Sequence, residues 1–596
     1  MGGVFSRRVL FLPFEKGLVN YFKNEWKHDL LASETKTVSL EPTVIETPSF
    51  TERNTSTGSG ESLAQAAEWI TKCVQQHMEC KSVVDTSPKI LPGRLVYINP
   101  GENGPLRLCE TSGLVPDTPY MTLSHCWGSK NFLRLTSENY DELKVRIPFE
   151  KLTKTFQDAI AITRFNKIHY LWIDSLCIIQ DSRQDWEKES SLMKDIYSNT
   201  FCNIAASHAT NGEMGCFVDR TLSGGSVMIN IPVTFKADNG FHPGIWEARD
   251  TGSWLPEVLN SPLQERAWVF QEDVLPPRTL YFSSKQIHFM CDHFQVCELY
   301  PKTWSLFKRR RREPVRAILR SLMIRGSENK VDFPRARTVI SLWHDMLNIY
   351  TRCDLTLESD RLIAISGLAR LLQPLIPGRY LAGHWEDNLI EQLLWKARGA
   401  GSRSATYLAP SWSWGSTTRS IWAPEANQTN DILRTLLYYE EPQNKVKTQL
   451  AFIRDVEIIT TNGDPMSQVT SGFLRMDGVL NLIVLDGEYL NPTAAENLLI
   501  SEDVWREKLI GKYCFVPLIE SGWRDPEYRY VSSKGLLLRP TGKEIGQYER
   551  VAFAYHSGKE GNIFSADRNW QKRELITEDL YEKYDQETGL YTFTII

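Results

Sequence analysis

The apolar positions of residues 120–207 divide into five runs that read strand, helix, strand, helix, strand. Tyr120–His125 is a short apolar run. Thr155–Phe165 has helical spacing, with Phe156, Ala159 and Ile160 as neighbours. Tyr170–Ile173 is apolar and is followed at once by Asp174. Trp186–Tyr197 predicts a second helix and Phe201–Ala206 a third strand. Strands that alternate with helices pair in parallel through crossovers, so the pattern predicts an α/β core. Polar residues gather where its strands end: Ser124 and His125, Asp174 and Ser175, Ser207 and His208. That carboxyl edge is where open α/β sheets bind ligands.

Around this stretch the pattern is less regular. Residues 1–32 form an N-terminal segment. Residues 33–61, rich in Ser, Thr, Glu and Pro without apolar periodicity, read as a flexible linker. Residues 62–118 are a lead-in, with a helix over Ser62–Met78 and a strand pair at Leu95–Ile98 and Leu106–Glu110. The core proper runs over 119–291. It includes a long excursion at 129–152, a helix at Pro262–Leu275 and a hairpin of Thr279–Phe282 with Gln286–Cys291. Residues 292–416 extend it with helices at Ile340–Tyr350 and Asp360–Leu372. Strand alternation in Ser411–Gly415 would put Trp412 and Trp414 on one face. From 417 to 596, short runs such as Phe473–Met476, Tyr513–Pro517 and Arg550–Ala554, many of them separated by Gly, Asn and Asp, predict a β-rich region.

Composition narrows the function classes. The chain has 596 residues, a net charge of −5, and 24% charged and 42% hydrophobic residues. Nothing in that balance argues for nucleic-acid binding. Eleven scattered cysteines without a secretory signal predict reduced thiols in a cytoplasmic protein. No run approaches the length of a membrane span. Gly2 and Ser6 fit the myristoylation pattern, so weak membrane attachment through an acylated N-terminus stands beside an unmodified terminus. Lys308–Arg312 reads as a solvated basic loop or a polyanion patch. There is no GxGxxG after a strand, no G-x-S-x-G elbow, no P-loop and no internal repeat.

Chemistry concentrates at one helix position. At helical spacing Trp186, Leu192, Met193, Ile196 and Tyr197 share an arc, and Glu189 lies near its middle. A carboxylate on an apolar stripe is costly unless it is paired or faces a polar cleft. Glu189 is therefore either a catalytic carboxylate, with His125 and Asp174 as companions, or one half of a structural pair. Ser124 and Ser175 are the accompanying candidates for binding a nucleotide. His125 and Cys126 point to opposite faces of a strand and make no dyad. Arg266 and Glu272 read as charges that hold the core in place. Cys73, His77 and Cys80 lack the fourth donor zinc requires, so they read as packing residues and no metal is assigned. The cofactor is left unknown.

The segments SHCWG, YLWIDSLCIIQD, W-x-x-E-x-x-x-M-x-x-I-Y and ERAWVFQEDVLPPRTLYF resemble the fungal heterokaryon-incompatibility (HET) domain. LTLESDRLIAISGLA, LAGHWEDNLIEQLLWKA and APSWSWGS follow in the order seen in long HET-domain proteins, so the likeness covers roughly 65–416. The resemblance implies non-self recognition and programmed cell death after fusion of unlike cells, acting through protein partners or self-association. It also implies a parallel-sheet core like that of TIR domains, which is flavodoxin-like. Some TIR domains cleave NAD with a helix-borne glutamate. A hydrolase of NAD or a related nucleotide, with Glu189 as its key carboxylate, is therefore the alternative expectation.

Overall fold

The apolar strands of the core are too short to bury much alone, and they sit side by side in one sheet. In this computed structural model they are β1 (Arg94–Ile98), β2 (Leu106–Glu110), β3 (Met121–Ser124), β4 (Tyr170–Trp172), β5 (Cys202–Ala205), β6 (Arg278–Phe282), β7 (Ile287–Cys291) and β8 (Gln295–Cys297). Their order across the sheet is β8-β7-β6-β5-β3-β4-β1-β2. The middle four, β6, β5, β3 and β4, are parallel. The hairpins β1–β2 and β7–β8 flank them in antiparallel pairing. Every residue of β3, β5, β6 and β7 is buried, as strands covered on both faces require. The structure describes residues 56–77, 80, 89–101, 104–220, 229–233, 244–250, 255–298, 301, 319, 333–399, 402–424, 445–486, 498–503, 509–523, 530–559 and 576–596, with short strands at 8–9, 35–36 and 38–42.

Helices cover the sheet on both sides. α1 (Gly60–Gln76) packs on β7 and on α2 (Lys154–Phe165). Ser59 and Thr153 cap their first turns by accepting from Ser62 and Phe156 N–H groups. Two helices, α3 (Arg183–Ser191) and α4 (Met193–Ser198), cover the other face. Tyr120, in register with Thr122 and Ser124, donates its hydroxyl to the Ile196 carbonyl of α4 at 2.7 Å. α5 (Ala267–Val274) lies on this face too, and α6 (Phe333–Tyr350) adds Trp343 and Tyr350 to the same core.

Several elements differ from the expected ones. The helix expected at 186–197 is two helices, broken at Leu192, whose N–H reaches both Glu189 and Ser190 carbonyls. Ser190 and Ser191 hydroxyls donate to the Glu187 and Lys188 carbonyls, a local competition that weakens helix continuity. The helix expected at 262–275 opens with a 3-10 turn, Pro262–Glu265. Arg266 is then extended, because Ala267 N–H bonds across to the Asp354 carbonyl at 2.9 Å. Within the stretch read as a linker, Val38–Pro42 pairs with Gly244–Asp250. Gly2, Ser6 and Lys308–Arg312 lie outside the described residues.

The chain is thus a mixed α/β protein with a β-rich C-terminal region. Long strands at Ile510–Trp523, Tyr530–Pro540 and Gln547–Lys559 form the middle of that second sheet. It encloses its own core, including Leu474, Val516, Leu536 and Phe593. The SWSWG segment joins the two cores. Trp412 is buried in the C-terminal core and Trp414 in the α/β core. They do not share a strand face, because Ser413 caps a 3-10 turn over Trp414–Ser416. No helix among the described residues is long and apolar enough to cross a membrane.

Candidate functional site

Alternation along β3 and β5 places Thr122, Ser124 and Asn203 on one face, at the point where the chain leaves β3 in opposite directions for β4 and β5. Thr122 Oγ1 donates to Asn203 Oδ1 at 2.9 Å, and Asn203 Nδ2 lies 3.1 Å from Ser124 Oγ and 3.3 Å from the Glu272 carbonyl. The Glu272 carboxyl group bonds with the Ser124 and Tyr197 hydroxyls. Burial pushes it up to about 7, against the opposing pull of the Arg266 guanidinium. The same burial raises the Tyr197 phenol well above its ordinary value. These polar groups satisfy one another in the interior, as buried polar networks must.

His125 follows Ser124 and turns to the opposite face, where its ring stands edge-on to Phe156 at 5.0 Å. Its Nδ1 is 3.9 Å from Asp174 Oδ1, an ion-pair separation longer than a hydrogen bond. Asp174 is held by Trp127 Nε1 at 2.9 Å and by the Ser175 N–H at 2.6 Å. Burial pulls the His125 imidazole down to about 4, with Asp174 opposing and Arg266 reinforcing, so the ring is neutral at pH 7. Its Nε2 is buried and has no hydrogen-bond partner among the described residues. Arg266 links the two faces by donating to the His125 carbonyl. Ser175 is buried, and its hydroxyl has no partner among the described residues.

Glu189 is fully buried. Its Oε2 accepts from the Gly93 N–H at 3.2 Å, and its Oε1 lies 3.8 Å from Arg94 Nη2. Arg94 also donates to Asp185 and, at 2.7 Å, to the Cys177 carbonyl. A Cβ at position 93 would stand 2.3 Å from Glu189 Oε1, so a larger residue there would displace that carboxylate. Burial raises the Glu189 carboxyl above its usual range, and the Gly93 N–H and Arg94 pull it back. His125 and Asp174 therefore come together. Among the described residues no hydrogen bond or ion pair joins Glu189 to either of them.

A cleft of about 280 Å³ opens on the outer side of α3, against Arg370 and the 461–468 segment. Trp186, Lys188 and Ser190 line it, and none of His125, Asp174 and Glu189 does. The chemistry available at the strand ends is thus a neutral imidazole and a carboxyl group poised near neutrality, both held in a buried network. Asn203 and Thr122 escaped the sequence reading, and Tyr197 was read only as an apolar member of the arc around Glu189. The signal was present as single polar residues inside the apolar runs FCNIAAS and YMTLS. At the opposite edge of the sheet, Cys73, His77 and Cys80 gather with Cys291.

Residues 120–272 match the family model described as Heterokaryon incompatibility protein (HET). That span includes β3–β5, Glu189, Arg266 and Glu272. No curated protein and no solved structure matches the chain.

Proposed function

The chain carries a HET domain at residues 120–272, and on that premise we propose that it acts in fungal non-self recognition and the cell death that follows, through assembly or partner binding. The observation that carries this reading is the family match, whose span includes the whole polar network at the strand ends. One side of that network is closed on itself, while the buried His125 Nε2 and Ser175 hydroxyl have no partner among the described residues. Glu272, Asn203, Ser124 and Tyr197 bond one another and position elements, as residues of a binding module do. The parallel strands, numbered in chain order, lie 2-1-3-4 across the sheet. This is the order of flavodoxin-like doubly wound folds and supports a TIR-like core.

The nucleotide-hydrolase alternative is not favoured. Glu189 spends its carboxylate on the Gly93 N–H and on Arg94, in a site without solvent access. Glutamine at 189 keeps an acceptor for Gly93, so Glu189→Gln tests the two readings in a folded protein. Induced expression of the full chain in a filamentous fungus is expected to arrest growth and admit a vital dye, with Glu189→Gln equally effective. Purified protein is expected to release no nicotinamide from NAD. Release that disappears in Glu189→Gln would overturn the reading.

A further inference from the structure

Three donors near the start of the described core and one from far along the chain converge on a single point. Cys73 lies in the last turn of α1, and His77, one turn later, ends that helix with an extended backbone. Cys80 follows, and Cys291 closes β7. All four are buried, and their ligand atoms lie within 4.8 Å of one another. Cys291 Sγ is 3.4 Å from His77 Nδ1, which identifies the nitrogen that faces the cluster. We propose that Cys73, His77, Cys80 and Cys291 bind one structural zinc ion that clips the lead-in helix to the HET sheet.

The donor set fits the ion. Zinc–sulfur bonds of about 2.3 Å and zinc–nitrogen bonds of about 2.0 Å place tetrahedral donors roughly 3.5–3.8 Å apart. Three thiolates and one imidazole are soft, tetrahedral ligation, which selects zinc over the hard cations. Four protein donors leave no open position, so the role is structural. The surroundings suit a bound centre of net charge −1. Arg278 Nε donates to Cys73 Sγ at 3.4 Å, and the Phe294 N–H donates to Cys291 Sγ at 3.4 Å. The His77 ring is fixed by stacking on His293 at 4.2 Å and by the edge of Phe294 at 4.8 Å. Outer contacts of this kind orient metal ligands and tune them.

The position gives the ion a task. Residues 73 and 291 bracket the whole 120–272 domain, so one ion would close a loop around it. β7 belongs to the sheet but lies beyond the matched span, and α1 lies before it.

The test uses the full chain purified from zinc-supplied cells. Plasma mass spectrometry is expected to find one zinc ion per chain, and cobalt exchange to give thiolate charge-transfer and tetrahedral d–d bands. Cys291→Ser and Cys80→Ser are expected to lower bound zinc about tenfold, while Cys109→Ser, whose thiol lies outside the cluster, keeps it. Cys80→His preserves a zinc donor and is expected to hold the ion, which separates lost ligation from lost folding. Wild-type protein without zinc that stays metal-free after zinc addition would overturn the proposal. So would a Cys73–Cys291 disulfide in the mapped protein, or full zinc content in Cys291→Ser.

Discussion

At the scale of single residues, the strand-end network holds two groups displaced in opposite directions. Glu272 keeps its proton up to about pH 7 when folded, against 4.5 when unfolded. Its contribution to stability is fully present below 4.5 and is lost as pH rises through about 7. His125 is the reverse. Its folded value is about 4 against 6.5 unfolded, so its contribution is complete above 6.5 and is lost as pH falls through about 4. In the wild-type chain the two slopes oppose each other over the shared window. Relative to wild type, Glu272→Gln should therefore become more stable, and His125→Asn less stable, as pH rises from about 5 to 7, each by on the order of 2–3 kcal/mol. Urea midpoints across that range check both signs, and parallel curves for all three proteins would refute the account. Sequence showed Glu189 to be an odd carboxylate on an apolar arc, and it is buried. It could not show which backbone would meet it, because Gly93, just before β1, lies 96 residues earlier in the chain.

At the scale of elements, the strand–helix alternation of 120–207 was legible because short buried strands and amphipathic helices carry distinct periods. The break at Leu192 was not, since the local hydroxyl bonds of Ser190 and Ser191 leave the apolar period unchanged. The SWSWG segment shows the same limit. Alternation cannot announce that a turn will send two tryptophans into separate cores. Trp414 donates to the Gly383 carbonyl at 2.9 Å beside Tyr350, whereas Trp412 stacks on His384 at 5.9 Å beneath the C-terminal sheet. Each Trp→Ala change should cost about 3–5 kcal/mol. Hydrogen exchange should separate them: Trp412→Ala should loosen the strands of 445–595 first, and Trp414→Ala should loosen α6 and its neighbours. Identical exchange maps would contradict the division.

At the scale of the molecule, the C-terminal region is built into the rest. Arg550 is fully buried, bonded to Asp503 at 2.9 Å and to the Leu393 and Trp395 carbonyls at 2.6 and 2.7 Å. Ser411 N–H bonds to the Ile596 carbonyl at 2.9 Å, and Thr417 to the Asp503 carbonyl at 3.1 Å. Removing one partner of a buried pair costs about 3–5 kcal/mol. Arg550→Met should thus split a single calorimetric transition into two, with the C-terminal region melting first. A single transition at an unchanged temperature would show that the junction carries little. The placement of the sheet hairpins reaches further still. None of the four parallel strands touches a rim, and the rims are β2, whose Leu106 carbonyl already accepts from Ile147 N–H at 2.7 Å, and the three-residue β8. A fibre that grew by stitching backbone to backbone would find both selvedges hemmed. Copies of this chain that met at the α/β sheet would do so through the side chains of its helices and loops rather than through its strand edges.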